Sequence, residues 1–180
     1  MQNASGDAPK IADLWRTMRG TIFTPEREWL VWTAAAVCRQ FERPTFVNIG
    51  VGKGVSMHCL RAGCAGARLV GVDIRYCRVE EQNALFAELV IGDSGECHAE
   101  FDGPVHLLFV DGDHRLAGVT ADIEGWTPKV VPGGLVVFHD YSRPQPRWQV
   151  GLAVDMWLAE EGGEWERVPS VGSLKAVRRR

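Results

Sequence analysis

Residues 45–56, Thr45-Phe46-Val47-Asn48-Ile49-Gly50-Val51-Gly52-Lys53-Gly54-Val55-Ser56, constrain the fold of this chain more than any other stretch. A β-rich run enters a bend with glycine at 50, 52 and 54, and apolar residues then resume at Val55, Met57, Cys59 and Leu60. Strand, glycine bend and helix N-terminus in that order open a βαβ unit that holds a nucleotide-like ligand. Glycines let the backbone bend and come close to a ligand where a Cβ would clash. The first amides of the following helix have no partner inside it, which suits an anionic or polar group.

The rest of the chain completes such a unit. Ile11, Leu14, Trp15 and Met18 have helical spacing over 10–19. Thr24-Pro25-Glu26 reads as a helix start with Thr24 as N-cap, running to about Arg39, and Trp29, Leu30, Trp32, Ala36 and Val37 supply its apolar surface. Glu42-Arg43-Pro44 interrupts it before a first strand over 45–49. A helix over 54–62, a strand over 67–73, a helix from Arg78 to about Ala87 and a short strand over 88–92 follow. Val105-His106-Leu107-Leu108-Phe109-Val110 is nearly continuously apolar, as a buried parallel strand is. A helix from Leu116 to Lys129, a turn at Pro132-Gly133-Gly134, a strand over 135–138 and a helix from Val150 to about Glu160 come next. The last two strands, 165–168 and 173–177, are joined by a link too short for a parallel crossover, so they pair antiparallel. The expected architecture is α/β: a Rossmann-like, seven-stranded, mostly parallel sheet with a C-terminal antiparallel hairpin and helices on both faces. One domain spans 1–180, with a helical N-terminal cap over 1–44 and a cofactor-binding core over 45–177.

Ligands of open α/β sheets bind outside the carboxyl ends of the strands, and polar residues gather there. Asp73 ends the second strand, 23 positions beyond Gly50, near the usual interval to a carboxylate that accepts from ribose hydroxyls. Asp93-Ser94 follows the third strand, Asp111-Gly112-Asp113-His114 the fourth, and His139-Asp140-Tyr141 the fifth. Each also has a plain structural reading, as a turn cap or a loop anchor.

These pieces, in this order, resemble the class I S-adenosylmethionine-dependent methyltransferases, and most closely a small bacterial branch related to catechol-type and sugar O-methyltransferases. The resemblance rests on Val47–Gly54, Val70–Asp73, Gly92-Asp93-Ser94, Phe109–His114, Val136–Tyr141 and the terminal hairpin, and it covers about 45–177. It implies S-adenosylmethionine as cofactor, with its methionine end over Gly50, Gly52 and Gly54, its ribose on Asp73 and its adenine near Asp93 and Ser94. Asn48 stands where the family often has an acid facing the amino-acid part of the cofactor, and its carbonyl can still accept. Asp111 would face the amino-acid end or a metal at the acceptor site.

The implied reaction is methylation of a small-molecule hydroxyl, with Mg²⁺ or another divalent cation as a possible aid. Metal-dependent relatives place an acid at the end of strand four and an acid followed by Asn after strand five. Asp111 and Asp140 match, but Tyr141 replaces the Asn and is a poor ligand for Mg²⁺. Asp113, His114, His139 or water are available to complete the set, and a histidine favours a softer metal. Without a metal, His114 or His139 is the candidate general base, and Tyr141 the candidate donor to the acceptor. Arg143 and Arg147 lie in a proline-rich loop that faces the acceptor on this reading.

Two other functions compete. In a nicotinamide (NAD)-dependent oxidoreductase the third glycine would fall at position 55, which is Val. A non-catalytic domain that keeps the cofactor fold would account for Asn48 and Tyr141. A formal charge of −3 and no aromatic-basic stripe argue against a nucleic-acid partner. No run approaches a membrane span and no signal-peptide core is present, so a cytoplasmic enzyme acting on a small molecule is expected. The short cap leaves room for a homodimer to complete the pocket. Cys38, Cys59, Cys64, Cys77 and Cys97 form no close pair, and reduced thiols are expected.

Overall fold

In a computed structural model of the chain, residues 18, 20–75, 86–143, 145, 147–161 and 163–180 are described. The helices expected over 10–19 and 78–87 lie almost wholly outside them. The helices are α1 (Thr24–Gln40), α2 (Val55–Gly63), α3 (Ser94–Cys97), α4 (Leu116–Trp126, continued by a 3₁₀ turn over Thr127–Lys129) and α5 (Val150–Glu160). The strands are β1 (Thr45–Ile49), β2 (Arg68–Asp73), β3 (Glu88–Ile91), β4 (Val105–Val110), β5 (Val130–Phe138), β6 (Trp165–Val168) and β7 (Lys175–Arg179). They form one seven-stranded sheet in the order β3-β2-β1-β4-β5-β7-β6. Pairings from β3 through β5 are parallel, and β7 runs antiparallel to both β5 and β6. One reversed strand closes a mostly parallel sheet, as the short link between the last two strands requires.

Alternation along the strands sends side chains to two apolar layers. Phe46, Leu69, Leu107, Phe109 and Val137 meet Leu30, Ala34 and Val37 of α1 and Met57 and Leu60 of α2. Val47, Val70, Leu108, Val136 and Phe138 meet Val119, Ile123 and Trp126 of α4 and Val154 and Trp157 of α5. Each large side chain so buried contributes about 1.5–3 kcal/mol. Among the described residues both faces of the central strands are therefore covered, and the carboxyl ends of the strands open onto a cleft.

Local details depart from the sequence reading, each for a physical reason. Phe23, not Thr24, is the N-cap of α1, and the Glu26 carboxylate at the third helical position accepts from the Phe23 N–H at 3.0 Å. The buried stripe of α1 is Leu30, Ala34 and Val37, so Trp32 faces outward at 72% exposure instead of adding to the core. Residues 132–134 are not a turn before β5 but a bulge inside it. Val105 pairs Val130 while Leu107 pairs Leu135, so five steps on β5 match two on β4, and three extra residues are looped out around Gly133.

The expectation of reduced thiols throughout is overturned. Cys38 and Cys64 form a disulfide with their Cα atoms 5.7 Å apart. They lie 26 positions apart in sequence, and packing of α1 on α2 brings them together. Cys59 is a free, buried thiol, pushed up to about 12 chiefly by burial.

Candidate active site

The chain leaves β1 to build β2 and β3 on one side, then β4 and β5 on the other. The loops after β1 and β4 therefore part at the point where strand order reverses, and a crevice opens between them. At Gly50 the backbone has φ +78°, and a Cβ there would lie 2.0 Å from the Asp111 carbonyl oxygen. Only glycine lets these two loops approach so closely. Gly54, also at φ +78°, turns the chain into α2 as its N-cap.

A cleft of about 1030 Å³ runs along the carboxyl ends of the strands. Asp73, Ile74, Gly92, Asp93 and Ser94 line one end, and Gly50, Val51, Gly52 and Lys53 line the middle. Asp111, Gly112, Asp113, His114, Asp140 and Trp148 line the other end, with Thr21 and Ile22 opposite. Asp73 braces the bend: Oδ2 accepts from the Gly52 N–H at 2.8 Å and Oδ1 from the Arg75 N–H at 3.1 Å. Asp93 caps α3 by accepting from the Gly95 N–H at 2.9 Å. Each of these carboxylate oxygens keeps a further lone pair for a ligand. Asn48 is fully buried behind the bend, where Nδ2 donates to the Gly50 carbonyl at 3.2 Å. Its Oδ1 has no hydrogen-bond partner among the described residues.

At the Trp148 end of the cleft, Asp111, Asp140, His114 and His139 form one network. His139 Nδ1 is 3.0 Å from Asp111 Oδ1 and 3.2 Å from Asp140 Oδ2. His114 Nε2 is 3.0 Å from Asp140 Oδ2, and its ring stacks on Trp148 with centroids 4.6 Å apart. Arg143 Nε donates to Asp140 Oδ1 at 2.6 Å. Asp140 holds φ +57°, a conformation unusual outside glycine and a mark of sites where the surroundings impose the backbone.

Burial opposes charge throughout this network, and hydrogen bonds decide which groups keep it. Burial works against a charged His139, but Asp111, Asp140 and Glu26 override it and raise the ring's pKa to about 11. Burial also favours the neutral acid of Asp140, yet His114, His139 and Arg143 hold it well below the usual carboxylate range. Burial pushes Asp111 upward while His139 pulls the other way. The bond to Asp140 raises His114 against a smaller effect of burial.

The structure brings Asp111, His114, His139 and Asp140 together and separates the other candidates from them. Asp113 turns to Arg115, which donates to it from its backbone N–H at 2.9 Å and from Nε at 2.8 and 3.0 Å. It lines the cleft but does not join Asp111 and Asp140; the third side chain beside them is His139. His139 is 1% exposed and lies beneath the cleft, whereas His114 faces it. Tyr141 turns to α5, where its hydroxyl donates to Asp155 at 2.8 Å, and it is not part of the cleft lining. Arg143 is engaged by Asp140, and its guanidinium lies over the Phe23 ring at 4.8 Å.

Two participants escaped the sequence reading. Trp148, at the end of the proline-rich loop, walls the His114 end of the cleft, and no motif marks it singly. Glu26, 1% exposed, reaches His139 Nε2 at 3.4 Å across 113 positions of sequence. Its place at a helix start signalled only a cap.

The three clustered ligand atoms of Asp111, His139 and Asp140 lie within 4.8 Å of one another, a donor set that fits a divalent cation. The cleft's size, its glycine floor and the free lone pairs of Asp73 and Asp93 fit an adenosyl cofactor. No helix among the described residues is long and apolar enough to cross a membrane.

Comparison with known proteins agrees with this layout. The methyltransferase domain family matches residues 47–141, just over half of the chain. The MycE methyltransferase from the mycinamycin biosynthetic pathway, solved with Mg, SAH and mycinamycin VI, superposes with a TM-score of 0.72 at 17% identity. That match covers 98% of this chain and 55% of MycE. Cofactor-bound Rv0187 from MTB gives 0.69 at 18% identity, covering 100% and 91%. The O-methyltransferase NovP gives 0.68 at 15%, covering 85% and 78%. A curated relative, the uncharacterized protein y4gI of Sinorhizobium fredii, is 51% identical over 39 residues, which is 22% of this chain and 4% of that protein. The chain therefore spans only a small part of that relative and about half of MycE. Over the stretch from β1 to the end of β5, and in the sheet that carries it, this chain belongs to the methyltransferase domain family and has the class I S-adenosylmethionine-dependent methyltransferase fold.

Proposed function

We propose that the protein transfers a methyl group from S-adenosylmethionine to a hydroxyl of a small molecule. One observation carries this reading: a single cleft joins the Asp73–Asp93 end, the glycine bend and the His114–Asp140 pair. On this reading Asp73 accepts from the ribose hydroxyls, Asp93 and Ser94 face the adenine, and the methionine part lies over Gly50 and Gly52. The acceptor then lies between His114, Asp140 and Trp148.

The sulfonium is already an activated donor, so the protein's work is alignment and proton removal. As the new O–CH₃ bond forms, the S–CH₃ bond breaks and its electron pair returns to sulfur. Holding both reactants in line is worth up to about 7–11 kcal/mol in the best model systems. His114 is the base. With its Nε2–H given to Asp140, the remaining nitrogen, Nδ1, accepts the hydroxyl proton, and the carboxylate stabilises the imidazolium that results. Asp140 is kept ionised for that task by His139 and Arg143. A divalent cation held by Asp111, His139 and Asp140 would lower the pKa of the acceptor hydroxyl. The O-methyltransferase description of NovP supports oxygen as the acceptor atom.

Asn48 and Tyr141, which raised the non-catalytic alternative, do not line the cleft. Their departure from the family pattern therefore leaves the reacting end intact. Calorimetry with S-adenosylhomocysteine tests the cofactor, and a coupled assay for its release, run over catechol and sugar acceptors, tests the reaction. Folded protein that gives no heat with S-adenosylmethionine or S-adenosylhomocysteine refutes the proposal.

A further inference from the structure

We infer that Asp111, Asp140 and the Nδ1 nitrogen of His139 form a centre for a first-row transition-metal dication, and that Glu26 is the positioning residue that keeps Nδ1 turned toward it. This rests on the reading of that end of the cleft as the acceptor site.

Geometry comes first. His139 Nδ1 is 3.0 Å from Asp111 Oδ1 and 3.2 Å from Asp140 Oδ2. Two ligand atoms each about 2.1 Å from a metal sit about 3.0 Å apart on an octahedral edge, and somewhat farther apart on a tetrahedral one. Those two separations match an edge of a coordination polyhedron, and all three atoms lie within 4.8 Å of one another, so an ion takes the place of the Nδ1 proton now shared with the two carboxylates. Arg143 occupies Asp140 Oδ1 and His114 Nε2 takes one lone pair of Oδ2 at 3.0 Å, so the ion uses the other lone pair of Oδ2. Asp111 and Asp140 border the cleft, so an ion there reaches an acceptor oxygen.

Donor chemistry sets the metal. Magnesium takes oxygen ligands almost exclusively, whereas imidazole suits zinc, iron, cobalt and nickel. A set with one buried imidazole nitrogen and two carboxylates therefore discriminates against magnesium.

Glu26 supplies the orientation. Metal-bound histidines almost always donate their other ring N–H to a carboxylate or carbonyl, which fixes the tautomer and the ring. Here the other nitrogen, Nε2, faces Glu26 Oε2 at 3.4 Å. Glu26 cannot swing away. Its Oε1 accepts from the Ser173 N–H at 2.7 Å and the Ser173 hydroxyl at 2.8 Å, and its Oε2 accepts from the Phe23 N–H. The start of α1 and the loop before β7 thus clamp a buried carboxylate under the ring. A Cβ on Gly172 would fall 2.4 Å from Glu26 Oε1, so the loop itself is shaped around this group.

The test uses the full chain and the metals alone. Competition titrations should show Co²⁺ and Zn²⁺ binding at least a hundredfold more tightly than Mg²⁺. Pulsed EPR of the Cu²⁺-loaded wild type should detect one coupled imidazole nitrogen, a readout that needs no variant. Glu26→Gln should weaken Co²⁺ binding about 10–100-fold and shift the visible Co²⁺ bands, while affinity for S-adenosylhomocysteine stays within threefold. Equal affinity for Mg²⁺ and Co²⁺, no nitrogen coupling, or an unchanged Co²⁺ spectrum in a folded Glu26→Gln variant each overturns the inference. Metal binding that persists in a protein that does not bind S-adenosylhomocysteine would refute the methyltransferase proposal and leave this centre standing.

Discussion

Asp73 offers the sharpest test of where the cofactor sits, because it has two jobs that can be separated. Its carboxylate braces the glycine bend through Gly52 and Arg75, and on the proposed reading it also accepts from two ribose hydroxyls. A hydrogen bond to a charged group is worth about 1.5–3 kcal/mol net. Asp73 is partly exposed, so the lower end applies, and two such bonds come to about 3 kcal/mol, or roughly a hundredfold in affinity. Asp73→Ala alone is ambiguous, since loosening the bend also weakens binding. A thermodynamic cycle removes the ambiguity. Calorimetry should measure wild type and Asp73→Ala against S-adenosylhomocysteine and its 2′,3′-dideoxy analogue. In the wild type, loss of the hydroxyls should cost about a hundredfold. In the variant it should cost no more than about threefold, because the partner is gone. The bend's contribution appears equally with both ligands and cancels. If removing the hydroxyls costs the same in both proteins, Asp73 is a structural brace and the ribose lies elsewhere.

Three further outcomes follow from the same coordinates. Asp122 is 1% exposed, leaves Oδ2 without a partner among the described residues, and is raised from 3.8 to about 6 chiefly by burial. An acid whose folded pKa is raised contributes stability that is full below pH 3.8 and is lost as pH climbs through about 6. Asp122→Asn should therefore stabilise the fold at pH 8, by up to about 3 kcal/mol, and give little at pH 4; an equal Tm change at both values refutes the assignment. Tyr141→Phe removes only the hydroxyl bond to Asp155 and should change kcat/KM less than threefold, whereas a hundredfold loss would return Tyr141 to the reaction. The Cys38–Cys64 disulfide closes a loop of 26 positions, worth about 3 kcal/mol by chain entropy, so a reductant should lower Tm. A scan that is identical with and without reductant would show that the bond does not form.

Much of this architecture is local information. Strand, glycine bend and helix occupy consecutive residues, and the carboxylates that follow β2, β3, β4 and β5 are carried to the same end of the sheet whatever the helices between do. Asp73, Asp93, Asp111 and Asp140 were legible for that reason. The hidden parts depend on contacts that no window of sequence contains. Glu26 meets His139 because α1 lies against the sheet and presents its first turn to the end of β5. Cys38 meets Cys64 because two helices happen to end side by side.

Direction is the other thing a sequence leaves open. His139, Asp140 and Tyr141 are consecutive, and any of them is a fair candidate from its place after β5. The strand's alternation sends His139 inward beneath the cleft, Asp140 sits at φ +57° with its carboxylate toward His114, and the chain then carries Tyr141 away to Asp155. One left-handed residue thus sorts three polar neighbours into a buried imidazole, a cleft-facing carboxylate and a loop anchor. Asp113 and His114 divide in the same way, since a neighbouring arginine captures the first and a tryptophan wall seats the second. The family pattern indicates where polar groups collect; which of them face the substrate is decided by backbone torsion and by competing partners one or two residues away.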